Sequence, residues 1–337
     1  MPLATVGYGT ASVDPAKGVR ISGDKNRGRQ RAGRRPLVVA LATIAVLLGA
    51  ETNASFYLGA AVGGDRSPSM RLVSGDDDRA SRCDEYINPR YAELPACTAP
   101  DRSVGAADAW SSRFASAWGA QSGAAVGYRL GERYRIELEA DYGSVGLDTS
   151  SPIIAPSGVP YDTVAAPELA DAYERIGNAE FLGLFVSAFV DIPNRSRFTP
   201  FVGIGAGVGF ASMDYDVLWE RTDNLDDVIY AGAGLANEDE IRRNLVSGDT
   251  RARQRLRDRL NAVHLTVGVG YALTERVSLE IRARHLWSSE FGDGGSYITL
   301  RGHPSELRRD GSEPVRWRVG TEDTNRSHVG LRLNYRL

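Results

Sequence analysis

The chain has 337 residues, 42% of them hydrophobic, and a formal net charge of −3. That length suits one large β domain or two ordinary domains, and 37 glycines favour a chain of strands and turns. Both lysines (Lys17, Lys25) and a cationic excess lie within residues 1–54, while the remainder is net acidic, so a nucleic-acid-binding surface is not expected.

Residues 1–35 are rich in Gly and Arg and show no apolar periodicity. Leu37 to Leu48 then carry no charge. An apolar run of about a dozen residues behind a positive segment has the form of a secretory signal and is too short to span a bilayer. Thr52-Asn53-Ala54 offers small residues for cleavage before Ser55, and Arg34-Arg35 gives a weak twin-arginine resemblance. The expected division is a basic leader and signal peptide over 1–54, long enough to suggest a start codon downstream of residue 1, and one β domain over 55–337.

Strand periodicity begins at once. Phe56, Leu58, Ala60 and Val62 alternate with Tyr57, Gly59, Ala61 and Gly63. Residues 64–117 are polar and read as a long loop. They contain Cys83 and Cys97, which form a disulfide if the chain is exported, worth ~3 kcal/mol by loop closure; no His lies nearby to suggest a metal site instead. Next comes a hairpin from Ser122 to Gly143 with Gly131-Glu132 at its turn. In its second strand Tyr134, Ile136, Leu138, Ala140 and Tyr142 face one side, and Arg135, Glu137, Glu139 and Asp141 the other.

Residues 147–177 read as a second long connection. A fourth strand follows with Leu182, Leu184, Val186, Ala188, Val190 and Ile192 on one face, then a Pro193-Asn194 turn signal. The fifth alternates Val202, Ile204, Ala206, Val208 and Phe210 with four glycines. Residues 213–260 form a third polar connection, whose charged stretch from Glu238 to Arg259 has helical character but too few apolar residues for a core helix. The sixth strand (Val263 to Tyr271) and the seventh (Val277 to Trp287) turn at Thr274-Glu275. Residues 288–325 form a fourth connection, in which Tyr297 to Leu300 and Val315 to Val319 extend the flanking strands, and His328 to Leu337 is the last strand.

Short and long connections therefore alternate strictly, as when all turns lie at one end of an up-and-down barrel and all long loops at the other. Aromatic residues on the apolar face fall into two groups. Phe56, Tyr128, Tyr134, Phe198, Tyr271 and Tyr335 lie near the short turns; Trp118, Tyr142, Phe210 and Trp287 lie near the long loops. Two aromatic girdles around a Val/Leu/Ile/Ala belt fit a bilayer, whereas a water-soluble core centres its largest rings. The expectation is all-β: an eight-stranded antiparallel up-and-down transmembrane β-barrel with long extracellular loops. Arg135, Glu137, Glu139, Asp141, Glu280, Arg282, Arg284, Arg332 and Arg336 then point into a lumen only wide enough for side chains, where they must pair. The glycines of the fifth strand are expected to leave room for the arginines opposite.

The stretch Pro200-Phe201-Val202-Gly203-Ile204-Gly205-Ala206-Gly207 resembles the Pro-aromatic-x-Gly-x-Gly-x-Gly strand of the opacity-protein/porin-like outer-membrane β-barrel family. His328 to Leu337 is similar to the C-terminal signal that the outer-membrane assembly machinery recognises, with Tyr335 and Leu337 where that signal usually ends in Phe. The resemblance implies location in the cell outer membrane, with its lipids and the assembly machinery as partners, and does not imply a cell-wall anchor. The surface loops remain candidates for an extracellular ligand.

Little else points to chemistry. Glu137 and Glu139 form an ion-pair ladder sooner than an acid/base pair, and His264 and His328 are inward hydrogen-bonding groups. His285, outward beside Trp287 with Ser288 and Ser289 at the strand end, is the sharpest enzymatic lead. His303 is a loop residue. Asp76-Asp77-Asp78 forms a solvated loop or touches a divalent cation, and the alternating glycines lack the Lys-Ser/Thr of a phosphate loop. No cofactor, metal or catalytic set is called for. The expected role is a non-catalytic, structural or adhesin-like surface protein with a plugged lumen; the alternatives are a narrow porin, an outer-leaflet lipid-modifying enzyme, or a soluble periplasmic barrel with its apolar face inward.

Overall fold

A computed structural model describes residues 55–76, 109–155, 157–229, 234, 236–298, 316–321 and 324–337. The leader, Cys83, Cys97, Asp77, Asp78 and His303 lie outside the described residues.

Eight strands close into an antiparallel barrel: β1 (Ser55–Ser67), β4 (Ala117–Leu130), β5 (Tyr134–Pro152), β6 (Leu169–Asp191), β7 (Phe198–Arg221), β8 (Asp249–Ala272), β9 (Val277–Ser288) and β12 (Arg326–Arg336). Each pairs with its neighbour in sequence along the wall, and β1 pairs with β12 to close the ring. Closure is what hydrocarbon demands, because an open edge would leave unpaired N–H and C=O groups there. Three tight turns, 131–133, 192–197 and 273–276, gather at one end. Gly131 has φ +66°, a left-handed conformation that glycine adopts without penalty.

The alternation in sequence becomes two faces of the wall. Leu138 is 62% exposed and Ile204 65%, whereas Arg135 and Arg332 are each 2% exposed. The apolar stripe therefore faces away from the barrel and the charged stripe faces the lumen, which removes the soluble-barrel alternative. The exposed belt is bounded by Phe56, Tyr134, Phe198 and Tyr335 at the short-turn end and by Trp118, Tyr142, Phe210 and Trp287 at the other. In the lower girdle, Phe56 packs on Tyr128 at 4.8 Å and Phe198 on Tyr271 at 4.9 Å between ring centres.

The long connections depart from the sequence expectation. β6, β7 and β8 run for 23, 24 and 24 residues, while a tilted strand crosses a bilayer in ~9–11. The upper halves of these strands therefore stand in water. Residues 147–152 and 169–177 are strand rather than loop, as are 213–221 and 249–260. Only Glu238–Leu245 of the charged stretch is helical (α2); among the described residues the other helical segments are a single turn at Tyr161–Val164 (α1) and a 3-10 turn at Leu225–Asp227.

Residues 64–117 and 288–325 contribute four further strands. These are β2 (Met70–Asp76), β3 (Ala109–Phe114), β10 (Phe291–Ser296) and β11 (Arg316–Thr321), joined as a separate sheet in the order β10-β11-β2-β3. Its inner face supplies Leu72, Trp110, Phe114, Trp317 and Val319, which share a core with Ile176, Tyr215, Val217, Ala252 and Leu256 of the barrel strands. The long-loop end is thus a packed head with its own apolar core.

The lumen charge cluster and the folded head as candidate functional sites

β5, β9 and β12 deliver the charged stripe, and strict two-residue alternation fixes each member toward the lumen. Arg135 Nη1 meets Glu280 Oε1 at 2.6 Å, and its Nε lies 3.0 Å from Asp191 Oδ1. Arg332 Nη1 meets Glu137 Oε2 at 2.6 Å. Glu139 sits at the centre, 3.1 Å from Arg282 Nη1, 2.7 Å from Arg284 Nη2 and 3.3 Å from Arg332 Nη1. Arg284 also pairs with Asp141, and the Tyr57 hydroxyl donates to Glu137. The Ser187 hydroxyl donates to Glu139 at 2.5 Å and lies 3.1 Å from His264 Nε2. Guanidinium groups also stack on rings: Arg135 lies 4.8 Å from the centre of Phe201 and 5.0 Å from that of Phe189. Buried charges are tolerable only when paired and hydrogen-bonded this closely.

The structure brings together eight of the nine expected lumen charges. Arg336 is the exception: it lines the recess at the short-turn mouth, but it is exposed there and makes no ion pair among the described residues. Participants outside that set include Tyr57, Asp65, Arg129, Ser187, Asp191, His264 and Arg326. Asp65 and Arg326 pair at 2.8 Å in the upper lumen, and Arg129 reaches Asp191 at 2.8 Å. All share the inward parity of their strands, and that parity was the available signal. The strand-five glycines serve a different purpose from the one expected. A Cβ at Gly203 or Gly209 would collide with Phe189 or Phe181, so these glycines admit rings from β6; it is Gly59 of β1 that lies against the Arg332 guanidinium.

A recess of about 140 Å³ at the short-turn mouth is lined by Arg129, Arg135, Asp191 and Glu280 among others. A smaller one of about 40 Å³ above the cluster is lined by Asp65, Asp141, Arg284 and His328 among others. Glu137, Glu139, Arg282 and Arg332 line neither recess, and stand between them.

In the head, Glu174 is fully buried and its carboxyl group accepts hydrogen bonds from Ser74 Oγ (2.6 Å), Trp110 Nε1 (2.9 Å), Ser112 Oγ and the Tyr215 hydroxyl. It thereby ties β2 and β3 to β6 and β7. Asp76 accepts from the Tyr297 hydroxyl at 2.8 Å. Among the described residues no cluster of three His, Cys, Asp or Glu side chains with metal-site spacing occurs. His285 is half-buried on the outer wall, 4.5 Å from the Trp287 ring, with its Nδ1 2.9 Å from Ser327 Oγ on β12. The hydroxyl beside this imidazole therefore comes from the neighbouring strand and not from Ser288 or Ser289.

A closed ring of an even number of strands, turned inside out and belted by two girdles, decides the class. This is a transmembrane barrel of the outer-membrane type. No protein-family model matches the sequence, and no curated protein matches it. Among solved structures it is similar to Neisserial surface protein A (14% identity, covering 84% of this chain and 98% of that one, TM-score 0.35). It is also similar to the outer membrane protein OprG of Pseudomonas aeruginosa (9%, 83% and 96%, TM-score 0.36) and to the outer membrane protease OmpT of Escherichia coli (10%, 84% and 97%, TM-score 0.33). Such distant likenesses say nothing of activity, and the barrel assignment rests on closure, belt and girdles.

Proposed function

We propose that this chain is a non-catalytic surface protein of the outer membrane, which holds a rigid β head above the bilayer on a plugged barrel. The observation that carries the reading is the Glu137–Glu139–Arg282–Arg332 cluster, which stands between the two lumen recesses. A barrel that transports solutes needs a water path, and one that displays a surface does not. Residues 1–54 direct export and are removed, Cys83 and Cys97 pair in the oxidising exterior, and β12 is read by the assembly machinery. The head is the part left to meet an extracellular ligand. Planar-bilayer recording of the purified, refolded protein tests this: no steady current is expected, and stable unitary conductance would make the protein a narrow porin.

One observation favours a second reading, an outer-leaflet lipid-modifying enzyme: the Ser327–His285 contact lies on the lipid-facing wall near the upper girdle. Loss of acyl chains from membrane lipid on overexpression, abolished by His285→Ala and by Ser327→Ala, would establish it. Unchanged lipid would leave the non-catalytic reading.

A further inference from the structure

On the outward face of β8, Val263, Leu265, Val267, Val269 and Tyr271 form the belt, and above Asn261 the same face continues as Arg259, Arg257, Arg255, Arg253 and Arg251. The upper three have acidic partners. Arg251 and Arg253 reach Asp216 Oδ2 at 3.0 and 2.7 Å, and Arg255 pairs with Glu180 and lies 3.8 Å from Asp214. Arg257 and Arg259 are exposed and make no ion pair among the described residues. The carboxylates near them are engaged by main-chain N–H groups: Asp258 accepts from Arg259 and Gly292, and Asp293 from Arg257 and Gly294.

Height singles out the same two residues. From Tyr271 in the lower girdle to Arg259, at ~3.3 Å per residue and a tilt of ~40°, the strand climbs roughly 30 Å, slightly more than the ~25 Å apolar band of such barrels. Arg259 lies opposite Phe210 of the upper girdle in the β7–β8 register. Both unpaired cations therefore stand at headgroup level, on the side of the wall that faces lipid. Same-face neighbours on a strand are ~6.6 Å apart, so two guanidinium groups at this spacing can hold one phosphate between them.

We propose that Arg257 and Arg259 form a binding site for the phosphate groups of anionic lipids in the leaflet around the head. Charge complementarity and continuity with the belt identify the occupant. A soluble anion gains only the guanidinium contacts, whereas a lipid also lays its chains along Val263 and Leu265. The upper arginines are already neutralised and do not contribute.

The test uses the full folded barrel in nanodiscs of phosphatidylcholine doped with phosphatidic acid, or with uncharged diacylglycerol, and counts co-released lipids by native mass spectrometry. The doped lipid occupies both leaflets, so the result does not depend on which way the barrel faces, and it is separate from the conductance test of the surface-protein reading. An Arg257→Ala/Arg259→Ala variant that keeps its heat-modifiable gel migration is expected to retain phosphatidic acid at least about tenfold less well, with diacylglycerol retention unchanged. Arg251→Ala/Arg253→Ala should behave as the parent. Equal retention by parent and Arg257/Arg259 variant, or equal losses in the two double variants, would overturn the proposal. So would inorganic phosphate at low concentration displacing the lipid, since the site would then be one for free anions.

Discussion

The lower and upper halves of β7 obey opposite rules. Below, Val202, Ile204, Ala206, Val208 and Phe210 point out and four glycines point in; above, Met213, Tyr215 and Val217 point in while Ser212 and Asp214 point out, and Asp216, of the same parity, is buried against Arg251 and Arg253. β8 changes in the same way, from outward Val263 and Leu265 to outward Arg257 and Arg259 with Leu256 and Leu260 inside. The backbone continues and only the solvent changes. Apolar side chains face acyl chains where lipid surrounds the wall, and face the β2-β3-β10-β11 sheet where water does. The point at which the greasy parity switches, between Phe210 and Met213, marks where the strand leaves the bilayer.

The strongest way to break this contrast is to remove a charge from the inside of the lower half. Glu139→Leu leaves Arg282, Arg284 and Arg332 short of a counter-charge and is expected to cost about 3–5 kcal/mol. Urea titration of the refolded protein in vesicles measures it; an unshifted midpoint would mean that the cluster does not hold the barrel. Next in size is the outer wall. Ile204→Arg should cost about 2–4 kcal/mol near mid-belt, while Arg253→Ala, on the outward face of the upper half, should stay within about 0.5 kcal/mol in the same titration. Similar losses at the two sites would put both halves in one solvent.

The head can be loosened by itself. Glu174→Ala strands the Ser74, Ser112, Trp110 and Tyr215 donors, at about 1–3 kcal/mol for each that finds no water. The expected result is lost near-ultraviolet circular dichroism and faster proteolysis above the membrane, with the heat-modifiable barrel intact; simultaneous loss of both would make head and barrel one cooperative unit. The smallest effect is acidic. Burial pushes the Asp216 carboxyl group up, but hydrogen bonds and charge from Arg251 and Arg253 outweigh it and hold the group below its ordinary range. Its stabilisation is therefore full above the unfolded carboxyl value and fades as pH falls through the lowered folded one. Because both arginines are partly exposed, the contribution should lie within the ~0–1 kcal/mol of surface pairs. Proteolysis of the head in acid, compared between parent and Asp216→Asn, measures it, and identical profiles would remove the role.

The barrel wall was legible because period two is a local property, and eight apolar stripes with alternating connections leave few other arrangements. The lumen charges were legible for the same reason. Arg336 has the expected direction, lining the recess at the short-turn mouth, but it stands too near water to join the ion pairs, because parity gives a direction and not a depth. The head was not legible. In the β8 segment the inward apolar residues are Ala252, Leu256 and Leu260, spaced by four because Gln254 and Asp258 interrupt, and that spacing imitates a helix. β2 and β11 are short, and the pairing that joins them to each other spans most of the chain. Nothing local to residues 70–76 says that Leu72 will meet Val319's sheet and the top of the barrel.

Sequence by itself determined the number of wall strands, their direction, and which side of each is greasy, since side chains on an extended chain must alternate. Tertiary structure decided where the membrane ends, which charges neutralise one another, and that the polar segments fold over one another into a second core. Those outcomes depend on contacts between segments remote in the chain, and on what surrounds each face once the ring has closed.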